Sequence, residues 1–316
     1  MIKKNKYGQY FTIETIAEFM VSLVTQNKEA RVLEPSCGKG VFLKMLYKYG
    51  FNNIKGYEID STLDNPYNVV EYKSFISSPL SECFNVVIGN PPYIRWKNLE
   101  DNLKEELAQS DLWNKYFNSL CDYLFIFILK SIEQLKENGE LVFICPEYWL
   151  NTTHSTMLRN YMCVNGIFSD IYLFKEAPLF EGVTSSFIIF RYIKTKKQAS
   201  EITLHKYTKR GKPNLEELIN GSCFTIEQIP AFQIGERWVL ATRSKQELMK
   251  SFQNSCIQSE NLFSNKETLY RIGDFCDIGN GMVSGLDKAF KVTNIDILNE
   301  NERNSLIKVN KAKDLE

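Results

Sequence analysis

Apolar residues along this chain gather in short runs that end at glycine, proline or acidic positions. The sharpest run is Val86-Val87-Ile88-Gly89. Such runs, too short for helices and rich in β-branched residues, read as buried strands. On this basis strands are expected at residues 30–34, 54–60, 69–72, 85–88, 141–145, 167–174 and 185–192. Helical periodicity fills the gaps at 13–25, 41–49 and 113–136. Within the last of these, Tyr123-Leu124-Phe125-Ile126-Phe127 is apolar nearly all round and predicts a deeply buried helix ended by Asn138-Gly139. Asn151 or Thr152 is expected to cap a helix reaching about Met162. A turn at Glu181-Gly182 would join the last two strands as a hairpin-like edge. The polar, acidic stretch 98–111 reads as a mobile flap. Polar helical sequence from 243 opens a second unit, so the expected domains are 1–245 and 246–316.

Chemistry concentrates where strands end. Asn90-Pro91-Pro92-Tyr93 follows the run 86–89, and ligands of open α/β sheets bind beyond the carboxyl ends of strands. An exocyclic amino group is a poor nucleophile because its lone pair is delocalised. The Asn90 side-chain carbonyl and the Pro91 backbone carbonyl offer two acceptors for its N–H bonds. Together they would stabilise positive charge growing on nitrogen, the mirror image of an oxyanion hole. Proline fixes the backbone that carries them, and Tyr93 offers a ring face for a flat base. A strand followed by a proline turn would look the same, so context must decide.

The context is a strand, a turn Pro35-Ser36-Cys37-Gly38-Lys39-Gly40 and a helix, the first unit of a nucleotide-binding α/β fold. Gly38 and Gly40 allow close approach of a ligand. The turn lacks the Gly-Lys-Ser/Thr ending of a phosphate loop. Glu34 puts a carboxylate beside the ligand, which suits a cationic amino-acid moiety. Roughly twenty residues later Glu58 stands at a second strand end, the position of a ribose-binding acid, with Asp60 capping the next segment. Asn65-Pro66-Tyr67 has no strand before it and reads as a plain turn.

In this order the motifs resemble those of gamma-class N6-adenine DNA methyltransferases of bacterial restriction–modification systems. Gly8 to Thr12 with Ala17 to Met20 resembles the class's N-terminal cofactor motif, and Leu33 to Phe42 its glycine motif. Gly56 to Asp60 resembles the acidic strand, Asn90 to Tyr93 the catalytic motif, Leu141 to Leu150 the next strand and Thr184 to Phe190 a late aromatic strand. The likeness is close over residues 7–192. It implies a Rossmann-like S-adenosylmethionine-dependent methyltransferase fold: α/β, a seven-stranded mixed sheet with helices on both faces. By resemblance Thr12 touches the methionine end of S-adenosylmethionine, with Glu34, Ser36, Cys37, Gly38 and Gly40 nearby. Glu58 holds the ribose, and Ile59, Phe75, Pro92 and Phe127 line the adenine pocket. Asn90 and Pro91 bind the target amino group. Tyr93 and Phe190 sandwich the flipped base, with Phe187 the alternative should Phe190 face the core. Ser74 stands where relatives carry an acid on the cofactor's adenine, a weaker and uncharged acceptor. The implied cofactor is S-adenosylmethionine without a metal. The implied partner is double-stranded DNA, with a cognate restriction endonuclease as a genetic partner only.

Composition changes this picture little. The 316 residues balance 38 Lys and Arg against 38 Asp and Glu. That neutrality is a mild argument against a nucleic-acid binder, softened by basic clusters at 194–197 and 206–212, which read equally as a phosphate track or as solvated loops. Eight cysteines without a Cys-x-x-Cys pair and two histidines make zinc unexpected and fit a reducing cytosol, which the resemblance implies is a bacterial cytoplasm. No apolar run has membrane length, so no membrane association is expected. The glycine-rich stretch 278–285 resembles the opening of a target-recognition domain that in relatives continues past this chain's end, so a fragment or truncated product is expected. No nuclease domain is expected ahead of motifs that begin so near Met1. Three other readings stay open: a protein-glutamine methyltransferase, an RNA base methyltransferase of the same fold, and a catalytically silent cofactor- or DNA-binding fragment.

Overall fold

A computed structural model of the chain describes residues 10–81, 83–180, 185–262 and 299–304. Gly8-Gln9, the turn Glu181-Gly182, Thr184 and the stretches 278–285 and 306–316 lie outside the described residues. The chain divides into two compact units, Met1–Phe252 and Gln253–Glu316. The larger is built on one sheet.

Five parallel strands form its first half: β1 (Val32–Glu34), β2 (Ile54–Glu58), β3 (Val70–Tyr72), β4 (Phe84–Gly89) and β5 (Leu135–Pro146). The order across the sheet is β3-β2-β1-β4-β5. Strand order therefore reverses between β1 and β4, and a crevice opens at their carboxyl ends. Beyond β5 the sheet turns mixed. β7 (Phe187–Lys194) runs antiparallel between β5 and β6 (Gly166–Lys175), the expected hairpin-like edge. Two further strands follow, β8 (Glu201–Tyr207) parallel to β6 and β9 (Phe224–Pro230) antiparallel to β8. The sheet thus has nine strands where seven were expected. The extra pair is an edge ribbon whose alternating polar and apolar residues bury one face only, a weaker signal than the continuous runs inside.

Strand alternation sends neighbours to opposite faces. Leu33, Val87, Leu141 and Phe143 meet α5 (Tyr123–Gln134) on one side. Val32, Val86, Ile88, Val142 and Ile144 meet α1 (Glu14–Ser22) and α2 (Val41–Lys48) on the other. All twelve α5 residues except Glu133 are buried, as the apolar pattern implied.

Three local expectations are corrected. The helix expected over 113–136 is two, α4 (Asp111–Tyr116) and α5. The linker folds back instead: Arg95 bridges Asp122, and Tyr123 N–H donates to Ile94 O at 2.9 Å. Asn138-Gly139 does not end α5. Asn138 takes φ +61° in a bulge of β5, and Lys194 caps the helix by donating to the carbonyls of Ile132, Glu133 and Leu135. The acidic stretch expected as a flap contains α3 (Asp101–Ala108), which buries Leu103 and Leu107 in the core. The basic clusters are also partly spent within the fold: Lys206 pairs with Glu227 at 2.7 Å and Lys209 with Glu217 at 3.7 Å.

Candidate functional site

A cavity of about 540 Å³ opens at the carboxyl ends of β1, β2 and β4. All twelve residues expected to hold the cofactor line it: Thr12, Glu34, Ser36, Cys37, Gly38, Gly40, Glu58, Ile59, Ser74, Phe75, Pro92 and Phe127. Asn90 lines it too.

The glycine turn forms one wall, and its backbone explains its residues. Gly38 and Gly40 sit at φ +51° and +81°, a region that side chains disfavour. A Cβ on Gly40 would also lie 2.8 Å from the Tyr67 ring. The Gly38 N–H donates to Glu58 Oε2 at 2.7 Å, and the Gly38 carbonyl accepts from Asn65 Nδ2 at 2.9 Å. Asn65-Pro66-Tyr67 does form a side-chain turn, with Asn65 Oδ1 accepting from Tyr67 N–H. It is more than that, because Pro66 and Tyr67 join the cavity wall.

Glu58 takes a second backbone donor, Asp60 N–H, at 2.8 Å on Oε1. Burial raises its pKa, against the pull of those two N–H groups. Asp60 caps the next turn through Thr62 as expected. Glu34 is different. It is fully buried, and neither carboxylate oxygen has a hydrogen-bond partner. Burial drives its pKa well above the carboxylate range; the Cys37 thiol and the Leu43 N–H, both too poorly placed for a full hydrogen bond, pull it back, and the nearby Glu58 charge adds to the rise. A buried carboxyl beside a cavity carries an unmet polar demand that a cationic ligand would satisfy once the wall yields to it.

The far end of the cavity is apolar: Ile59, Phe75, Phe127, Pro92 and Leu103. Phe75 and Phe127 pack with ring centroids 5.4 Å apart. The polar groups there are Ser74, whose Oγ accepts from Ile76 N–H at 3.2 Å, and the buried Tyr123 hydroxyl, whose pKa is raised by burial and pulled back by Ser74. Tyr123, Leu103, Tyr10, Phe11 and Tyr67 were not foreseen as lining residues. Tyr10 and Phe11 fall inside the segment Gly8 to Thr12 that resembles the cofactor motif, whereas Tyr67, Leu103 and Tyr123 carry no local mark and are brought in by tertiary packing.

Asn90 closes the cavity on the β4 side. Ser36 Oγ donates to its backbone carbonyl at 3.1 Å, tying the glycine turn to the Asn-Pro-Pro-Tyr segment. Its side-chain Nδ2 donates to Tyr10 O at 2.7 Å and Thr12 Oγ1 at 3.0 Å. Its Oδ1 accepts from the Tyr93 hydroxyl, which also lies 2.6 Å from Ile144 O. Burial pushes the Tyr93 phenol well up, so it stays a donor. Pro91 is buried and Tyr93 half-buried. The Tyr10 ring stacks on Tyr93 with centroids 5.9 Å apart at 23°.

Phe190 is not where it was expected. It has no exposed surface and packs on Phe143, Trp149 and Phe168 in the core. Residues three apart on a strand point to opposite faces, so the side facing Tyr93 belongs to Phe187, 6.0 Å away. Among the described residues no three His, Cys, Asp or Glu side chains come together, and no helix is long and apolar enough to cross a membrane.

Comparison with known proteins accords with this geometry. Residues 16–180 match the model of the Eco57I restriction-modification methylase family. The chain is 42% identical over 321 aligned positions to the Type II methyltransferase M.HindII of Haemophilus influenzae, covering 99% of this chain and 60% of that protein. It is 38% identical to the Type II methyltransferase M.HincII of Haemophilus influenzae, with 99% and 59% covered. The chain thus spans about three fifths of the length of these curated relatives. The crystal structure of a type I restriction-modification system methyltransferase subunit from Streptococcus thermophilus superimposes with a TM-score of 0.53 at 15% identity, over 68% of this chain and 53% of that one. The fold is the Rossmann-like methyltransferase fold that the motif order implied, with its edge extended by β8 and β9.

Proposed function

The chain belongs to the Eco57I restriction–modification methylase family, and on that premise we propose that it transfers a methyl group from S-adenosylmethionine to the N6 amino group of an adenine flipped out of double-stranded DNA. The observation that carries the reading is the orphaned Glu34 carboxyl in the wall of a cavity whose other end is an apolar slot.

The residues present fit the cofactor. Glu34 would stand beside the cationic amino-acid moiety, Glu58, held by two backbone donors, would meet the ribose hydroxyls, and Phe75, Phe127, Ile59 and Pro92 would flank a flat base. When bound, S-adenosylmethionine supplies a methyl group on a sulfonium, an electrophile that needs no metal.

The protein's own work is at nitrogen. Asn90 Oδ1 has two lone pairs, and the Tyr93 hydroxyl takes one. The other accepts an N–H bond from the adenine amino group, and the Pro91 carbonyl accepts its second. Both acceptors gain strength as positive charge develops there. The base stacks on Tyr93 by replacing the Tyr10 ring, with Phe187 behind it. The methylated nitrogen is cationic and loses its proton to water, so no strong base is required.

Labelled S-adenosylmethionine offered with DNA, tRNA and protein tests the reading. Label is expected in DNA as N6-methyladenine. Label confined to glutamine in protein, or to RNA, would replace it with one of the sister activities of this fold.

A further inference from the structure

The Asn90 side chain is held at three points. Two are on the strap 10–12, where Tyr10 O and Thr12 Oγ1 accept from Nδ2. The third is the Tyr93 hydroxyl, whose one proton is shared between Oδ1 and the Ile144 carbonyl. The carboxamide is nearly symmetric in shape but opposite in chemistry at its two ends. Turned by 180°, it would present N–H donors to an amino group and repel it. That turn would also set Oδ1 against the carbonyl of Tyr10 and remove the acceptor facing Tyr93. Thr12 is largely buried and lines the cofactor cavity, so a ligand filling the cavity would shield its hydroxyl from competing water.

We propose that the strap and the Tyr93 hydroxyl form a clamp that fixes Asn90 with its oxygen as the acceptor, making Thr12 and Tyr93 positioning residues that act through Asn90. The proposal rests on the reading of Asn90 as the amine acceptor. It gives Thr12 a second role beside the cofactor. Having accepted from Asn90, its hydroxyl still has a proton to donate toward a ligand in the cavity. One side chain therefore links the cofactor cavity to the acceptor. It also gives Tyr93 two separable functions, a face for the base and a hydroxyl for Asn90.

Three variants separate these roles: Thr12→Val, Thr12→Ser and Tyr93→Phe. With S-adenosylmethionine saturating, Thr12→Val is expected to lower kcat by about 10-fold, the worth of one good buried hydrogen bond. Thr12→Ser should restore it. The cofactor dissociation constant, measured by calorimetry, should rise in Thr12→Val, which loses the proton offered to the cavity, and stay within about 3-fold in Thr12→Ser. Tyr93→Phe keeps the ring and should lower kcat by about 3- to 10-fold. The second readout needs no turnover. In ¹⁵N-labelled protein the Asn90 side-chain amide protons should be protected from solvent exchange, and Thr12→Val should speed that exchange.

An unchanged kcat at saturation in Thr12→Val, with a raised dissociation constant, would make Thr12 a cofactor ligand and overturn the clamp. So would Asn90 amide protons that exchange equally fast with and without the Thr12 hydroxyl. Protected protons in a protein that methylates no adenine substrate would uphold the clamp and strike down the function assigned to Asn90.

Discussion

Two glutamates are buried to nearly the same degree in this protein and meet opposite surroundings. Glu140, 1% exposed, accepts from Arg191 through two nitrogens at 3.1 and 3.2 Å, from Thr25 N–H at 3.0 Å and from the Thr25 hydroxyl. Burial alone would raise its pKa, but Arg191 and Thr25 more than offset that, and it lies below the usual range. Glu34 is 0% exposed, has no partner on either oxygen, and is driven well above that range by burial. A buried acid with a full set of donors is part of the architecture. A buried acid with none, beside a cavity, is left for a partner from outside the chain, and the cofactor is the partner proposed for it. The difference separates the region that holds the sheet together from the region that binds.

The largest effects should come from the first region. Glu140→Ala leaves Arg191 partly buried without its main counter-charge and should cost about 3–5 kcal/mol in urea denaturation. Phe190→Ala, also in the core, should cost a similar amount, about 3–5 kcal/mol. If Phe190→Ala instead left stability intact and weakened capture of the base, the assignment of Phe190 to the core would be wrong. The pH dependence has opposite signs for the two acids. The folded pKa of Glu140 is depressed, so its contribution is present above the unfolded value and is lost as pH falls through the folded one. That of Glu34 is raised, so its contribution is present at low pH and is lost as pH rises through the folded value. Denaturation of Glu140→Gln and Glu34→Gln across pH should show the first variant's deficit closing in acid. The second should gain on the unaltered protein as pH rises.

Within the binding region the expected losses are of function. Asn90→Ala removes one of two acceptors aimed at developing charge and should lower turnover by roughly 100- to 1000-fold, with thermal stability and cofactor affinity little changed. Near-normal turnover on an adenine substrate would remove Asn90 from the mechanism. Smaller still is the stacking face. Tyr93→Ala should weaken capture of a flipped base by roughly 1–3 kcal/mol, read from the fluorescence of 2-aminopurine at the target position. An undiminished signal would mean that the base rests elsewhere.

The same division explains what could be read from the residues alone. The parallel half of the sheet was legible because its inner strands β1, β4 and β5 carry apolar runs buried on both faces. The residues that line the cavity were legible because most of them follow strand ends in a fixed order. The edge pair β8 and β9 was not, since half-exposed ribbons resemble loops in composition. The break between α4 and α5 was not, because it comes from the pairing of Arg95 with Asp122, which helical periodicity does not encode. Phe190 was misplaced because a motif fixes a residue's position along a strand and leaves open which of two nearby aromatics faces the site. The strap's hold on Asn90 joins residues 78 and 80 positions apart, beyond any local pattern.

The central claim is that Glu34 is buried without a partner because a cationic cofactor supplies one. Calorimetric titration of S-adenosylmethionine into the unaltered chain and into Glu34→Gln, in two buffers of different ionisation enthalpy, tests it most directly. The unaltered chain should bind, release protons as the cation displaces the proton held by the raised carboxyl, and bind more tightly as pH rises. Glu34→Gln should lose affinity and the buffer-dependent heat together. Equal affinity in the two proteins, with no proton release in either, would contradict the account.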